Sequence, residues 1–109
     1  MLETIFGSKC REQVLQFILA NENGYASQIA RFYNLSTDPV IKQLNRLETG
    51  GVLVSKSYGK SRIYNFNPRY AFLEELKTLL LKARDFYKDD LKESLIMIRK
   101  RPRRNGKPL

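Results

Sequence analysis

Ser36, Thr37, Ile41, Lys42, Gln43, Asn45 and Arg46 fall in one short stretch of the chain. Their types suit the recognition of nucleic acid by hydrogen bonding. Lys and Arg pair the guanine edge, and Asn and Gln pair the adenine edge. Hydroxyls and backbone N–H groups at a helix start bind phosphate. The same types would also serve a helix face that does nothing but meet water. Asp38 and Pro39 interrupt the set. Asp38 repels phosphate unless it caps a helix or accepts from a cytosine amine. A second group, Lys56, Tyr58, Lys60 and Arg62, surrounds Gly59. Such a basic tip can follow a phosphate backbone or enter a minor groove. It can equally keep an exposed hairpin from aggregating.

Other chemistry is missing. The chain has no histidine and a single cysteine, Cys10. A Ser-His-Asp or Cys-His apparatus is therefore excluded, and so is a Cys/His metal cluster within one protomer. No Gly-rich loop that would cradle phosphate appears. Asp89 and Asp90 are neighbours, and neighbours on a helix do not face each other. Neither an enzyme, a cofactor nor a metal is expected. Cys10 reads as a small buried hydrophobe in preference to a redox switch.

The elements that must position these residues follow from periodicity. Ser8 is a plausible cap for a first helix over about residues 8–21, with Val14, Leu15, Ile18 and Leu19 on one face. Asn21 to Gly24 stops it. Residues 26–33 form a short second helix with Ile29, Ala30 and Tyr33 on one side, and Asn34-Leu35-Ser36 is a tight connection. A third helix starts at Ser36 or Thr37, buries Val40, Leu44 and Leu47, and ends at Gly50-Gly51. The period then shifts to about two. Residues 52–57 and 62–66 read as strands joined by Tyr58-Gly59-Lys60-Ser61. Tyr25, Tyr64 and Phe66 read as core. From about Tyr70 to Ile98 a helical stripe runs through Leu73, Leu76, Leu80, Ala83, Tyr87, Leu91, Leu95 and Ile98. A single helix of that length outruns so small a domain. A dimer element is expected, with Phe72, Leu76, Leu80, Ala83 and Tyr87 as contacts; the alternative is that it folds back over its own domain.

The chain has 109 residues and a net charge of +9. Six of its basic residues lie within 99–109, where no acid balances them. That tail reads as a disordered phosphate-binding arm, a solubilising end or an import signal. No stretch suits a bilayer span or a signal peptide, so no membrane partner is expected. The lone cysteine fits a reducing cytoplasm.

Two helices joined by a three- or four-residue turn, then a hairpin, resemble a winged helix-turn-helix. Residues 35–53, with Leu35-Ser36, Val40, Leu44, Leu47, Glu48, Gly50 and Gly51, look like the recognition helix and first wing strand of ArsR-like and MarR-like regulators. Gly59 and Tyr64 match their wing. Ile5-Phe6-Gly7-Ser8 and Asn67-Pro68 are similar to winged-helix modules found beside small nucleotidyltransferases. The expected fold is mainly α with a small β-hairpin: a DNA-binding domain over 1–68, a C-terminal dimerisation helix over 69–98 and a basic tail over 99–109. The resemblance implies a homodimeric, cytoplasmic, nucleoid-associated regulator that binds double-stranded DNA. A protein-interaction module, partnered for example with a nucleotidyltransferase, is the alternative.

Overall fold

The computed structural model describes residues 1–100, without the side chains of 99 and 100; the rest of the basic tail lies outside the described residues. Helix α1 (Glu3–Phe6) leads into α2 (Lys9–Asn21), whose cap is Ser8; its hydroxyl accepts from the Arg11 N–H at 3.1 Å. Sequence periodicity alone does not announce α1. Helix α3 (Ala26–Tyr33) follows. It ends at Asn34, whose left-handed φ of 58° lets the chain turn within residues 34–36. Helix α4 (Thr37–Thr49) carries Pro39 in its first turn, where no intrahelical N–H is lost.

Strands β1 (Leu53–Tyr58) and β2 (Ser61–Phe66) pair antiparallel, Leu53 opposite Phe66 and Tyr58 opposite Ser61. Gly59 takes φ 57° at the first position of the two-residue loop, which a hairpin of this kind needs. Gly24 adds one bridge to the sheet, exchanging both backbone hydrogen bonds with Tyr64 at 3.0 and 2.8 Å. A Cβ on Gly24 would stand 3.2 Å from Phe17 and Ile29 side-chain carbons, so a larger residue here would have to push them aside.

The core gathers on α2, which packs against α1, α3, α4, α5 (Leu73–Arg84), α6 (Asp89–Lys100) and β2. Val14, Leu15, Phe17 and Ile18 from α2 meet Ile29, Ala30, Val40, Leu44, Leu47, Leu53 and Tyr64. Glu12 and Gln16 are buried among them and are hydrogen-bonded, as burial of polar groups requires. The Glu12 carboxylate accepts from the Leu2 N–H at 2.7 Å and from the Tyr87 hydroxyl. Gln16 Nε2 donates to the Leu80 carbonyl at 2.7 Å.

The expected single helix over 70–98 is two helices. The chain breaks over residues 85–88, between α5 and α6. Leu80 and Leu95 are both fully buried, and both helices pack on α2. On one straight helix these side chains would stand roughly 22 Å apart along the axis, too far to share one small core. The break brings them back, and Asp89 and Asp90 place acid in the first turn of α6, where the helix dipole favours it. The dimer contacts read from sequence change accordingly. Leu80 and Ala83 are buried in the chain's own core, and Leu76 is half-buried against it. Tyr87 is tied to Glu12, and Phe72, at 63% exposure, faces solvent. Within the chain, the buried part of the stripe packs against α2. No helix among the described residues is long and apolar enough to cross a membrane.

Burial pushes the Tyr33 and Tyr87 phenols above the ordinary value of 10.0, and at Tyr87 the hydrogen bond to Glu12 adds to it. The folded chain therefore keeps phenol protons that the unfolded chain releases near pH 10.0. This stabilisation is whole below that pH and is lost as pH rises through the folded-state values. In a series of thermal melts, the melting temperature of the wild type should fall as pH climbs above 10.0. The fall should be shallower in Tyr87→Phe, which is destabilised at neutral pH by loss of the Glu12 contact.

Candidate nucleic-acid interface

Helix α4 buries one stripe and exposes the other. Val40, Leu44 and Leu47 face the core, while Thr37, Asp38, Ile41, Lys42, Asn45 and Arg46 are exposed. The exposed side has two rows at four-residue spacing. Thr37, Ile41 and Asn45 form one, and they line an open depression of about 450 Å³ together with Tyr25, Ser27, Lys60, Arg62 and Tyr64. Asp38, Lys42 and Arg46 form the second row, exposed but outside that depression. Ser36 is exposed at the N-cap and makes no side-chain cap hydrogen bond. Asp38 sits in the first turn, the place where a carboxylate suits the helix dipole.

Gln43 does not belong to the exposed set. It is 8% exposed, and its Oε1 accepts from Arg11 Nε at 2.9 Å. Its position next to Leu44 and three after Val40 places it on the edge of the buried stripe, against α2. The expectation that Gln43 reads a groove is therefore corrected: it joins α4 to α2.

The hairpin divides the basic residues by the alternation of its pleat. Arg62 shares an inward face with Ser55 and Tyr64 and is tied down in a chain: Arg62 Nη1 donates to Ser55 Oγ at 2.8 Å, and Ser55 Oγ donates to Glu48 Oε2 at 2.6 Å. This chain fastens the hairpin to the last turn of α4. Lys60 stands at the tip, in the wall of the depression. Lys56 and Tyr58 are exposed on the opposite face with Val54 and do not line the depression. Lys60 and Arg62 are thus brought to α4, and Lys56 and Tyr58 are not.

Tyr64 and Ser27 are contributors that sequence reading missed. Tyr64 is core, as expected, at 5% exposure, but its hydroxyl reaches the interface and donates to Asn45 Oδ1 at 3.3 Å. Burial raises its pKa from the ordinary value, with the charge of Glu48 adding and that of Arg62 opposing, so the phenol stays protonated at neutral pH. Ser27 arrives because the Gly24–Tyr64 bridge draws the start of α3 to the hairpin. A single bridged pair leaves no periodic trace in the sequence.

The arrangement offers hydrogen-bond donors and cations on a convex helix edge beside a basic hairpin tip. Among the described residues no cluster of three or more His, Cys, Asp or Glu stands ready to hold a metal ion. Cys10 packs partly buried against the core, and burial raises its thiol pKa. Replacing Gln43 with Ala should cost about 1–2 kcal/mol in a urea unfolding titration, because the partly buried Arg11 guanidinium loses one of its acceptors and keeps the Phe6 carbonyl.

No protein-family model, no curated protein and no solved structure matches this chain.

Proposed function

We propose that this chain is a winged helix-turn-helix regulator that binds double-stranded DNA, with α4 as the recognition helix and the β1–β2 hairpin as the wing. The observation that carries the reading is the outward edge of α4. From Thr37 to Arg46 it is exposed, apart from the buried positions Val40, Gln43 and Leu44, and its one hydrogen bond to the hairpin among the described residues is the one Asn45 accepts from Tyr64. A major groove about 12 Å wide admits one helix, and an exposed edge of this kind is what enters it. In the bound state Lys42, Asn45 and Arg46 face base edges, Ser36 and Thr37 meet phosphate at the helix start, and Lys60 and Arg62 meet the backbone beside the groove. Lys56 and Tyr58, on the outer face of the wing, are left to the flanking backbone.

The regulator works as a homodimer in this reading, with two recognition helices about 34 Å apart on a two-fold site. Its pairing surface differs from the one expected from sequence. Leu80 and Ala83 are spent on the core, whereas Phe72, Leu81, Phe86 and Met97 are large apolar side chains left exposed in and around α5 and α6.

A second reading, a protein-interaction module, draws on Val54 and Tyr58, which are exposed at 40% and 59% on the outer hairpin face. A stable stoichiometric protein complex with no duplex shift at low salt would select it.

The test is a binding series on duplex libraries. Affinity should fall with salt at roughly −0.9 in log–log slope per phosphate neutralised. Lys42→Ala with Arg46→Ala should relax sequence preference, and Lys60→Ala with Arg62→Ala should weaken all sequences alike and reduce the salt slope. Affinity indifferent to all four changes would reject the reading.

A further inference from the structure

The Asn45–Tyr64 pair fixes which way an exposed amide points. Asn45 lies on the row of α4 that faces the depression, beside Lys60 and Arg62. Its carbonyl Oδ1 accepts from the Tyr64 hydroxyl, and its Nδ2 has no partner among the described residues. Tyr64 itself has little freedom. It is 5% exposed, its backbone is bridged to Gly24, and it sits in the strand opposite Ser55. In this contact the hydroxyl donates, so the carbonyl is turned inward and the two N–H donors are left outward.

Asparagine pairs adenine by presenting both Oδ1 and Nδ2 to the base edge, as acceptor and donor side by side. With Oδ1 turned toward Tyr64, Asn45 presents donors alone. In the major groove guanine shows two adjacent acceptors, N7 and O6, and thymine shows O4. Adenine sets an N–H₂ beside its N7, and cytosine shows only a donor. We infer that Asn45, oriented by Tyr64, prefers a keto base, guanine first and thymine second, to adenine, the usual partner of asparagine, whose amino group beside N7 opposes a second donor. This rests on the reading of α4 as a recognition helix. Within it, Asn45 is the contact and Tyr64 is a positioning residue.

The experiment is selection of binding sites from a randomised duplex library by the full chain, run in parallel for wild type, Asn45→Ala, Asn45→Asp and Tyr64→Phe. The position whose preference disappears in Asn45→Ala is the one that Asn45 reads. There the wild type should favour guanine or thymine over adenine by about fivefold or more. Tyr64→Phe keeps the buried ring and removes only the hydroxyl, so both amide atoms become free and the preference should move toward adenine. Asn45→Asp, an exposed change independent of core packing, should lose the keto preference, because a carboxylate has no donor. The Asn45 side-chain amide resonances of the free protein should shift in Tyr64→Phe, which reads the orienting hydrogen bond without DNA.

A wild type that favours adenine or cytosine at that position overturns the inference. So does an Asn45→Asp variant that keeps the keto preference, or a folded Tyr64→Phe variant whose preference and amide resonances match the wild type. A wild type that enriches no duplex sequence at all overturns instead the DNA reading beneath it, and the two failures are thereby told apart.

Discussion

Residues Val14 to Ile18 of α2 are buried one after another, and five consecutive positions pass through more than a full helical turn. A helix segment of this kind has no side to give to water, so the chain must cover it from every direction. Helix α4 takes one side with Val40, Leu44 and Leu47, α3 and β2 take another, and α5 and α6 fold over what is left. The exposure of α4 is a consequence. Its apolar stripe is consumed by α2, and among the described residues no element covers its polar edge. The two polar side chains buried on α2, Glu12 and Gln16, are tolerated because they reach Tyr87, Leu2 and Leu80, and these contacts also hold the C-terminal helices in place.

The sequence discloses what short-range periodicity can carry. The spacing of Val40, Leu44 and Leu47 locates both the buried and the exposed sides of α4, and the change of period at residue 52, with Gly59 between two β-rich runs, locates the hairpin. The limits of α3 follow from its turn residues. Long-range choices are less visible. The apolar spacing runs through residues 85–88 without a fault, because both halves of the broken helix need the same stripe; only the demands of α2 require the break. Gln43 looks like its neighbours Lys42 and Asn45 in type, yet a one-position step around the helix turns it to Arg11. Tyr64 is legible as core, but the reach of its hydroxyl to Asn45 depends on the hairpin lying across α4, which the Arg62–Ser55–Glu48 chain secures.

The proposed binding surface therefore combines two mechanical classes. Lys42, Arg46 and Lys60 are exposed cations with free stems, suited to a charged partner at variable distance. Asn45 and Arg62 are held by neighbours in the chain and are suited to fixed geometry. A DNA-binding surface needs both, since phosphate contacts set register and oriented groups on the helix edge discriminate bases. A protein-docking surface would be expected to centre on apolar anchors instead. Ile41 is the exposed apolar side chain in the middle of α4, and it is flanked by Lys42 and Asn45.

The claim on which all this turns is that the outward edge of α4 enters a duplex. It is tested most directly by titrating isotope-labelled full chain with its selected duplex and following the backbone amide and Arg side-chain resonances. The account predicts that the largest shifts fall on residues 36–46, on the start of α3 and on the hairpin tip around Gly59, with α5 and α6 moving little. Shifts confined to α5, α6 and the basic tail, with α4 unmoved at saturation, would contradict it.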